Sequence, residues 1–284
     1  KPSYGIIPQR GHIPPAPGMD APGYPRGTDI MVVGPLGRDI ADIELSMDLL
    51  VRPQPADRKA WSINLPAPRK KALSDYRIAL WIDDPACPVD AAVGDALQRS
   101  VDLLSGHDVK IETARPDIDF AESHRVYLGL LGAVMGAGTP EKMFTKWLEE
   151  ARALSDSDDG YLARHLRGAT QYHRDWAVMD LARQHLRQKW ADFFAGYDAL
   201  ICPVCPVAAF GHDPRYMYER RLSINGKDHP YMDAVGWAGL AGVANLPATV
   251  LPVGRTPEGL PVGMQVIGPY LEDRTPIHIA RLMT

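Results

Sequence analysis

Three cysteines in 284 residues are too few for a disulfide framework. Reduced thiols are the consequence, and with them the expectation of a cytoplasmic protein. The sequence also lacks a long apolar run. Its longest mostly apolar stretch, Val126 to Gly138, is too short to cross a bilayer and is broken by four glycines, so no membrane span is expected. Positive charge is not in excess: 31 Lys and Arg against 35 Asp and Glu give a net charge of -4. That leaves no basic stripe for nucleic acid, and a small neutral ligand is the partner this balance favours. Residue 1 is lysine, and the residues after it form neither a charged n-region with an apolar core nor an Arg-rich leader. The expectation is that the natural start lies upstream.

Short motifs of common chemistries are missing too. No serine stands in a G-x-S-x-G frame, so the nucleophile elbow of an α/β-hydrolase is excluded. No H-E-x-x-H pair projects two imidazoles toward one ion; His165, His173 and His185 have other spacings and read as structural or surface residues. No phosphate-cradling G-x-x-x-x-G-K-[ST] occurs. Asp156 to Gly160 has the composition of a calcium loop, but Gly160 comes one position early and Arg167 stands where the bidentate Glu belongs. It reads instead as a helix cap and solvated linker. Cys202 and Cys205 have redox spacing, but one C-x-x-C cannot complete a zinc site and Pro206 points to an extended loop. The acids Asp83-Asp84 and Glu149-Glu150 diverge as sequence neighbours and read as exposed charges.

What is present is an α/β pattern. Lys1 to Gly34 is crowded with Pro and Gly and predicts an ordered loop with short strands. Arg38–Leu50 predicts a helix with early acids. Arg52–Leu73, with four prolines and the cluster Arg69-Lys70-Lys71, predicts a surface excursion with a solvated basic face. Tyr76–Ile82, Val89–Leu104 and Val109–Thr113 predict a βαβ unit. Helical spacing recurs through Phe120–Val134, Pro140–Leu154 and Tyr172–Tyr197. Asp198–Ile201 predicts a strand, followed by a Pro-rich loop from Cys202 to Tyr218. Tyr231–Ala244 predicts a helix, and Ala248–Leu251 and Gly263–Ile267 predict strands paired across Pro257-Glu258-Gly259. Asp273–Met283 predicts a last helix. The glycines from Gly129 to Gly138 lack a preceding strand and predict close helix packing or a wall beside a pocket.

Four segments, in order, resemble the amidase-signature family. They are Lys1-Pro2-Ser3-Tyr4-Gly5 with Pro8 and Gly11; Val33-Gly34-Pro35-Leu36-Gly37-Arg38-Asp39-Ile40-Ala41-Asp42; Phe193-Phe194 through Tyr197-Asp198-Ala199-Leu200-Ile201-Cys202-Pro203; and Asn245-Leu246-Pro247-Ala248 through Gly254 to Gly268. Gly37 departs from the family's small alanine or threonine. The resemblance implies one α/β domain, of which residues 1–284 are the C-terminal part, built on a mixed β-sheet flanked by helices and incomplete at its N-terminal side. It implies hydrolysis of a linear carboxamide without metal or organic cofactor, through a serine nucleophile, a second serine with a cis peptide bond, and a lysine that takes the proton through the bridging hydroxyl.

In that family those residues and the oxyanion donors precede the Lys-Pro-Ser-Tyr-Gly segment. No catalytic role therefore carries over, and Lys1 and Ser3 read as structural. The family's substrate side maps here onto Cys205, Trp237 and Asn245, with Met135 and Tyr127 as weaker candidates. A core tryptophan and a turn asparagine are the alternative readings of the last two of that trio. The A-subunit of an amidotransferase and a non-catalytic binding protein share the fold and remain as rival functions. An exposed apolar sheet face or edge is expected where the rest of the domain would dock, favouring self-association as far as a homodimer.

Overall fold

The computed structural model describes residues 1–9 and 28–284. Gly11 and the Pro/Gly steps from Pro14 to Pro25 lie outside the described residues. Residues 1–9 and 28–34 run as turn and coil rather than as short strands.

Helix α1, Ile40–Leu50, starts where Asp39 accepts a hydrogen bond from the Ala41 N–H at 2.7 Å, satisfying a donor that the first turn cannot. Strand β1 (Arg77–Leu80), helix α2 (Ala91–Ser105) and strand β2 (Lys110–Thr113) form the expected parallel βαβ unit. Four helices follow: α3 (Phe120–Ala137), α4 (Glu141–Ala153), α5 (Tyr161–Ala169) and α6 (His173–Phe194). Then come β3 (Ala199–Pro203), the hairpin β4 (Arg221–Ile224) and β5 (Lys227–Pro230), a 3₁₀ turn at Tyr231–Val235, α7 (Gly236–Val243), β6 (Ala248–Arg255), β7 (Pro261–Ile267) and α8 (Arg274–Met283).

The sheet order is β2-β1-β3-β7-β6, with β2, β1 and β3 parallel and β7 and β6 antiparallel. Every residue of β3 is buried. That is why Ala199–Cys202 carries no polar alternation, as befits a strand covered on both faces. A smaller core of Ile6, Ile7, Met47 and Ile277 joins the first residues to α1 and α8. No helix among the described residues is long and apolar enough to cross a membrane.

Three expectations need correction. The basic cluster is exposed at Arg69, Lys70 and Lys71, but Arg69 is not only solvated. Its guanidinium makes a fork with Glu272 (2.6 and 2.8 Å), donates to the carbonyls of Phe194 (3.0 Å) and Tyr197 (3.1 Å), and lies 3.5 Å from Asp198. A planar five-donor group can bind two acids and two carbonyls at once, which a lysine cannot. Asp84 is not an exposed acid: it is 4% exposed, because Arg115 donates to it at 2.6 Å and the Ala86 N–H at 3.0 Å. The loop before Tyr161 leads into α5, a helix the periodicity did not reveal, whose N-cap Gly160 makes no side-chain cap bond.

The glycines of α3 serve close helix packing. A Cβ on Gly132 would meet the Gly168 Cα of α5 at 2.9 Å, and one on Gly136 would overlap the Ala169 carbonyl oxygen. Gly94, inside α2, has nothing within 4 Å of its Cβ position. Gly136→Ala should therefore force the helices apart and cost about 1–3 kcal/mol, whereas Gly94→Ala should stabilise by about 0.5–1 kcal/mol through backbone entropy. Urea unfolding of the two variants checks the opposite signs.

Candidate functional site

The chain turns sharply at the carboxyl ends of β1 and β3, the side of an open α/β sheet where ligands usually bind. Trp81 leaves β1, and its indole donates to the Asp83 carbonyl at 3.1 Å. Asp83 accepts from the Val89 N–H at 3.0 Å, and the loop closes into α2 through Asp90, which caps Ala92 at 3.1 Å. The Asp90 N–H donates to Pro206 at 2.8 Å, fixing the loop that carries Cys205. Asn225, at the tip of the β4–β5 hairpin, accepts from the Ala91 N–H at 2.8 Å and donates to the Val89 carbonyl at 3.0 Å. The start of α2 thus holds three loops together.

Trp237 sits in the first turn of α7, fully buried, with its Nε1 donating to the Cys87 carbonyl at 3.1 Å. It packs edge-on against Trp81 (5.5 Å) and Phe120 (5.1 Å). Its carbonyl accepts from buried Gln265 at 3.3 Å. Cys205 lies half-buried on the loop after β3. That loop is tied to the Cys87 segment through Asp90 and Pro206, and Trp237 is tied to the same segment through the Cys87 carbonyl. Asn245 does not join them. It occupies the turn after α7 at φ 62°, its N–H donating to Gly242 at 3.2 Å and its carbonyl accepting from the Tyr4 N–H at 3.1 Å. Of the weaker candidates, Tyr127 packs its ring on Gly239 and Gly242 of α7, and Met135 is exposed.

Asn245 belongs to a second region, where three of the four resemblance segments converge. A cleft of about 450 Å³ is lined by Lys1 and Pro2, by Pro35 to Ile40, and by Pro247 to Val250. Lys1 Nζ donates to the carbonyls of Leu246 (2.6 Å) and Pro2 (3.2 Å), and burial pushes it down to about 8 against the pull of Asp273. The Ser3 N–H donates to Asp273 at 2.7 Å, and Ser3 Oγ accepts from the Leu271 N–H at 2.9 Å. Lys1 and Ser3 are thus engaged in joining residues 1–4 to residues 245–248 and 271–273.

The thiols are poorly suited to nucleophilic attack. Burial pushes Cys202 up to about 12 and raises Cys87 and Cys205 as well, so all three are protonated at neutral pH. Among the described residues no group of three His, Cys, Asp or Glu side chains could hold a metal ion. Trp81, Phe120 and Trp237 are buried and pack on one another, the core packing that is the alternative reading of Trp237.

Sequence reasoning missed a polar chain behind Trp237. Tyr161 donates to Asp233 Oδ1 at 2.6 Å, so its oxygen accepts from His124 Nε2 at 2.9 Å. His124 is then the Nε2–H tautomer, with Nδ1 buried and without a partner. His229 Nδ1 reaches Asp233 Oδ2 at 3.2 Å. These residues come from three separate segments, residues 124, 161 and 229–233, and none has motif spacing that would have revealed it.

A family model described as Amidase matches residues 1–276. An indoleacetamide hydrolase of Bradyrhizobium diazoefficiens is 28% identical over 276 residues, covering 94% of this chain and 49% of the relative. The A-subunit of the glutamyl-tRNA(Gln) amidotransferase of Gloeobacter violaceus is 23% identical over 299 residues, covering 96% of this chain and 56% of the relative. Among solved structures, a bacterial aryl acylamidase of the amidase-signature enzymes superposes with TM-score 0.70 at 17% identity, covering all of this chain and 56% of its own. The glutamyl-tRNA(Gln) amidotransferase A-subunit of Thermotoga maritima gives 0.71 at 19% identity, with the same shares. The chain spans about half the length of the curated relatives it matches.

His124 makes the polar chain sensitive to acid. Burial foremost, then Arg164, pushes it down to about 4, opposed by Asp233. The unfolded chain, with an ordinary histidine near 6.5, binds the proton more readily, so stability rises with pH between about 4 and 6.5 and is complete above that window. The loss on acidification through it is on the order of 3 kcal/mol. Denaturant titrations across the window should show this slope, and His124→Gln, which keeps a donor for the Tyr161 oxygen, should flatten it.

Proposed function

The chain belongs to the amidase family, and from that premise we propose that it forms the substrate-side part of an amidohydrolase that cleaves a linear carboxamide to a carboxylate and ammonia or an amine. The observation that carries this reading is the family match along residues 1–276. In the parent protein a serine outside these residues attacks the carbonyl carbon, its proton passing through a second serine to a neutral lysine. The tetrahedral intermediate collapses as the amine leaves with a proton, and water then releases the acid from the acyl-enzyme. In this reading Cys205, Trp237 and Asn245 lie on the substrate side of the parent, Trp237 and Cys205 beside the loop that carries Cys87 and Asn245 at the separate turn after α7. The indoleacetamide hydrolase among the relatives supports an aryl or indolyl acyl group. Three unpaired thiols support a reducing, cytoplasmic setting, and a homodimer is its proposed assembly.

The A-subunit of an amidotransferase is the second reading, favoured by the 23% relatives of that name. The 28% identity to an amide hydrolase puts it second. Release of ammonia from indoleacetamide or an aryl amide by the parent alone separates the two, since an amidotransferase component would need its partners. Absence of all turnover, with a parent lacking the Ser/Ser/Lys set, would leave a binding protein.

Two outcomes are expected. The isolated 31.2 kDa chain releases no amine from an aryl amide, and turnover by homogeneous material of that mass would contradict the reading. In the parent, Asn245→Gly retains the positive-φ turn but removes the carboxamide. It should fold normally and raise KM roughly 10-fold, about 1.4 kcal/mol of lost substrate binding; unchanged kinetics would reduce Asn245 to a turn residue.

A further inference from the structure

Asn225 and Gly226 form the two-residue turn of the β4–β5 hairpin, at φ 52° and 74°, the left-handed pair that such a turn favours. Of the three asparagines in the sequence, Asn64, Asn225 and Asn245, only Asn225 is followed by glycine; leucine follows the other two. An asparagine before glycine is open to attack on its own side chain by the next backbone nitrogen, because glycine has no Cβ to block the approach. Both residues are exposed, and a Cβ on Gly226 would meet nothing within 4 Å. Among the described residues nothing accepts from the Gly226 N–H. The nucleophile is free.

The electrophile is held. Asn225 Oδ1 accepts from the Ala91 N–H at 2.8 Å, Nδ2 donates to the Val89 carbonyl at 3.0 Å, and the Asn225 N–H donates to Asp90 Oδ2 at 3.1 Å. Ala91 opens α2, and its N–H is one of the donors a helix leaves unmatched in its first turn. Asp90 matches the next of them, on Ala92, at 3.1 Å. A carboxamide clasped at both ends, on a residue at positive φ, cannot bring its Cγ onto the following nitrogen without letting go of α2.

We propose that Asn225 is a site of covalent modification by water, deamidation to aspartate and isoaspartate, gated by release of the β4–β5 hairpin from the start of α2. The Gly226 nitrogen gives its proton to base and bonds to Asn225 Cγ. The Cγ–Nδ2 bond breaks, and ammonia leaves with a proton from solvent. Water then opens the five-membered imide at either carbonyl, so that the balance is one water consumed and one ammonia released. Opening at Cγ leaves aspartate. Its carboxylate still accepts from the Ala91 N–H, where an anion is favoured by the helix dipole, but it has no donor for the Val89 carbonyl. Opening at the backbone carbonyl leaves isoaspartate, which adds one carbon to the main chain of a two-residue turn. The pairing of Ile224 with Lys227 and the hold on Ala91 then cannot both persist. The inference is independent of what the protein hydrolyses.

Peptide mass spectrometry of the 284-residue chain, after prolonged incubation in mildly alkaline buffer, reads the conversion at residue 225. Folded chain should convert at Asn225 at least about 10-fold more slowly than the same chain unfolded in guanidinium, since only the opened clasp reacts. Asp90→Ser keeps an oxygen to cap Ala92 but gives up the contact with the Asn225 N–H. It should speed conversion of the folded chain by about 3-fold or more and leave the unfolded chain unchanged, residue 90 being remote in sequence. In amide hydrogen exchange, chain isolated with isoaspartate at 225 should lose about 10-fold of the protection of the Ala91 amide, whereas Asn225→Asp should keep it. Equal rates in folded and unfolded chain would overturn the inference, and so would a folded rate that Asp90→Ser leaves unchanged. Conversion confined to unfolded chain would overturn it as well, because the clasp would then never open in the native protein. Full protection of Ala91 in the isoaspartyl chain would contradict the link between the turn and α2.

Discussion

The burial of β3 governs the geometry of this protein. A strand covered on both faces and paired on both edges, parallel to β1 and antiparallel to β7, leaves no backbone group to water and admits only apolar side chains. Its pairing with β1 brings the loops after both strands side by side, so that Trp81 and Cys205 emerge at the same end. Its pairing with β7 places Gln265 opposite Cys202, where the carboxamide reaches back to the Trp237 carbonyl. The aromatic group around Trp237 is therefore anchored on the sheet rather than on loops alone.

Two polar clasps extend this order to the periphery. Arg69 ties the excursion before β1 to the end of α6 and to Glu272. Residues 1–4 are joined to the start of β6 and to Asp273 by bonds spanning nearly the whole sequence. Each clasp satisfies carbonyls or carboxylates that would otherwise be stranded near the surface of the core, and buried polar groups left unmatched are costly. The second clasp also gathers the Lys-Pro-Ser-Tyr, Gly-Pro-Leu-Gly-Arg and Asn-Leu-Pro-Ala segments onto one cleft. Segments far apart in the chain thus form one face.

Long apolar periods were legible in the sequence. The βαβ unit, α3, α4, α6 and the β6–β7 pair all follow from spacing, and the order of four short segments pointed to the family. What escaped was set by few residues or by distant ones. Helix α5 spans nine residues without a side-chain cap. The β4–β5 hairpin was signalled by Asn225-Gly226, whose φ values of 52° and 74° suit the tight turn such a pair favours, but its strands have only four residues each. The burial of Asp84 depends on Arg115, the clasp of Arg69 on Glu272, and the chain from His124 to His229 on three segments at once. Local spacing carries no record of such partners. Among the candidate site residues, the burial of Trp237 and the place of Asn245 at a separate turn depended on the fold.

The central proposal is a division of labour, in which this chain supplies a substrate wall while the attacking serine of the parent lies elsewhere. A serine-directed fluorophosphonate probe on the parent protein, read by peptide mass spectrometry, addresses that division directly. A single labelled serine is expected, in a peptide outside residues 1–284. Stoichiometric labelling of Ser3, or of any other residue within this chain, would contradict it.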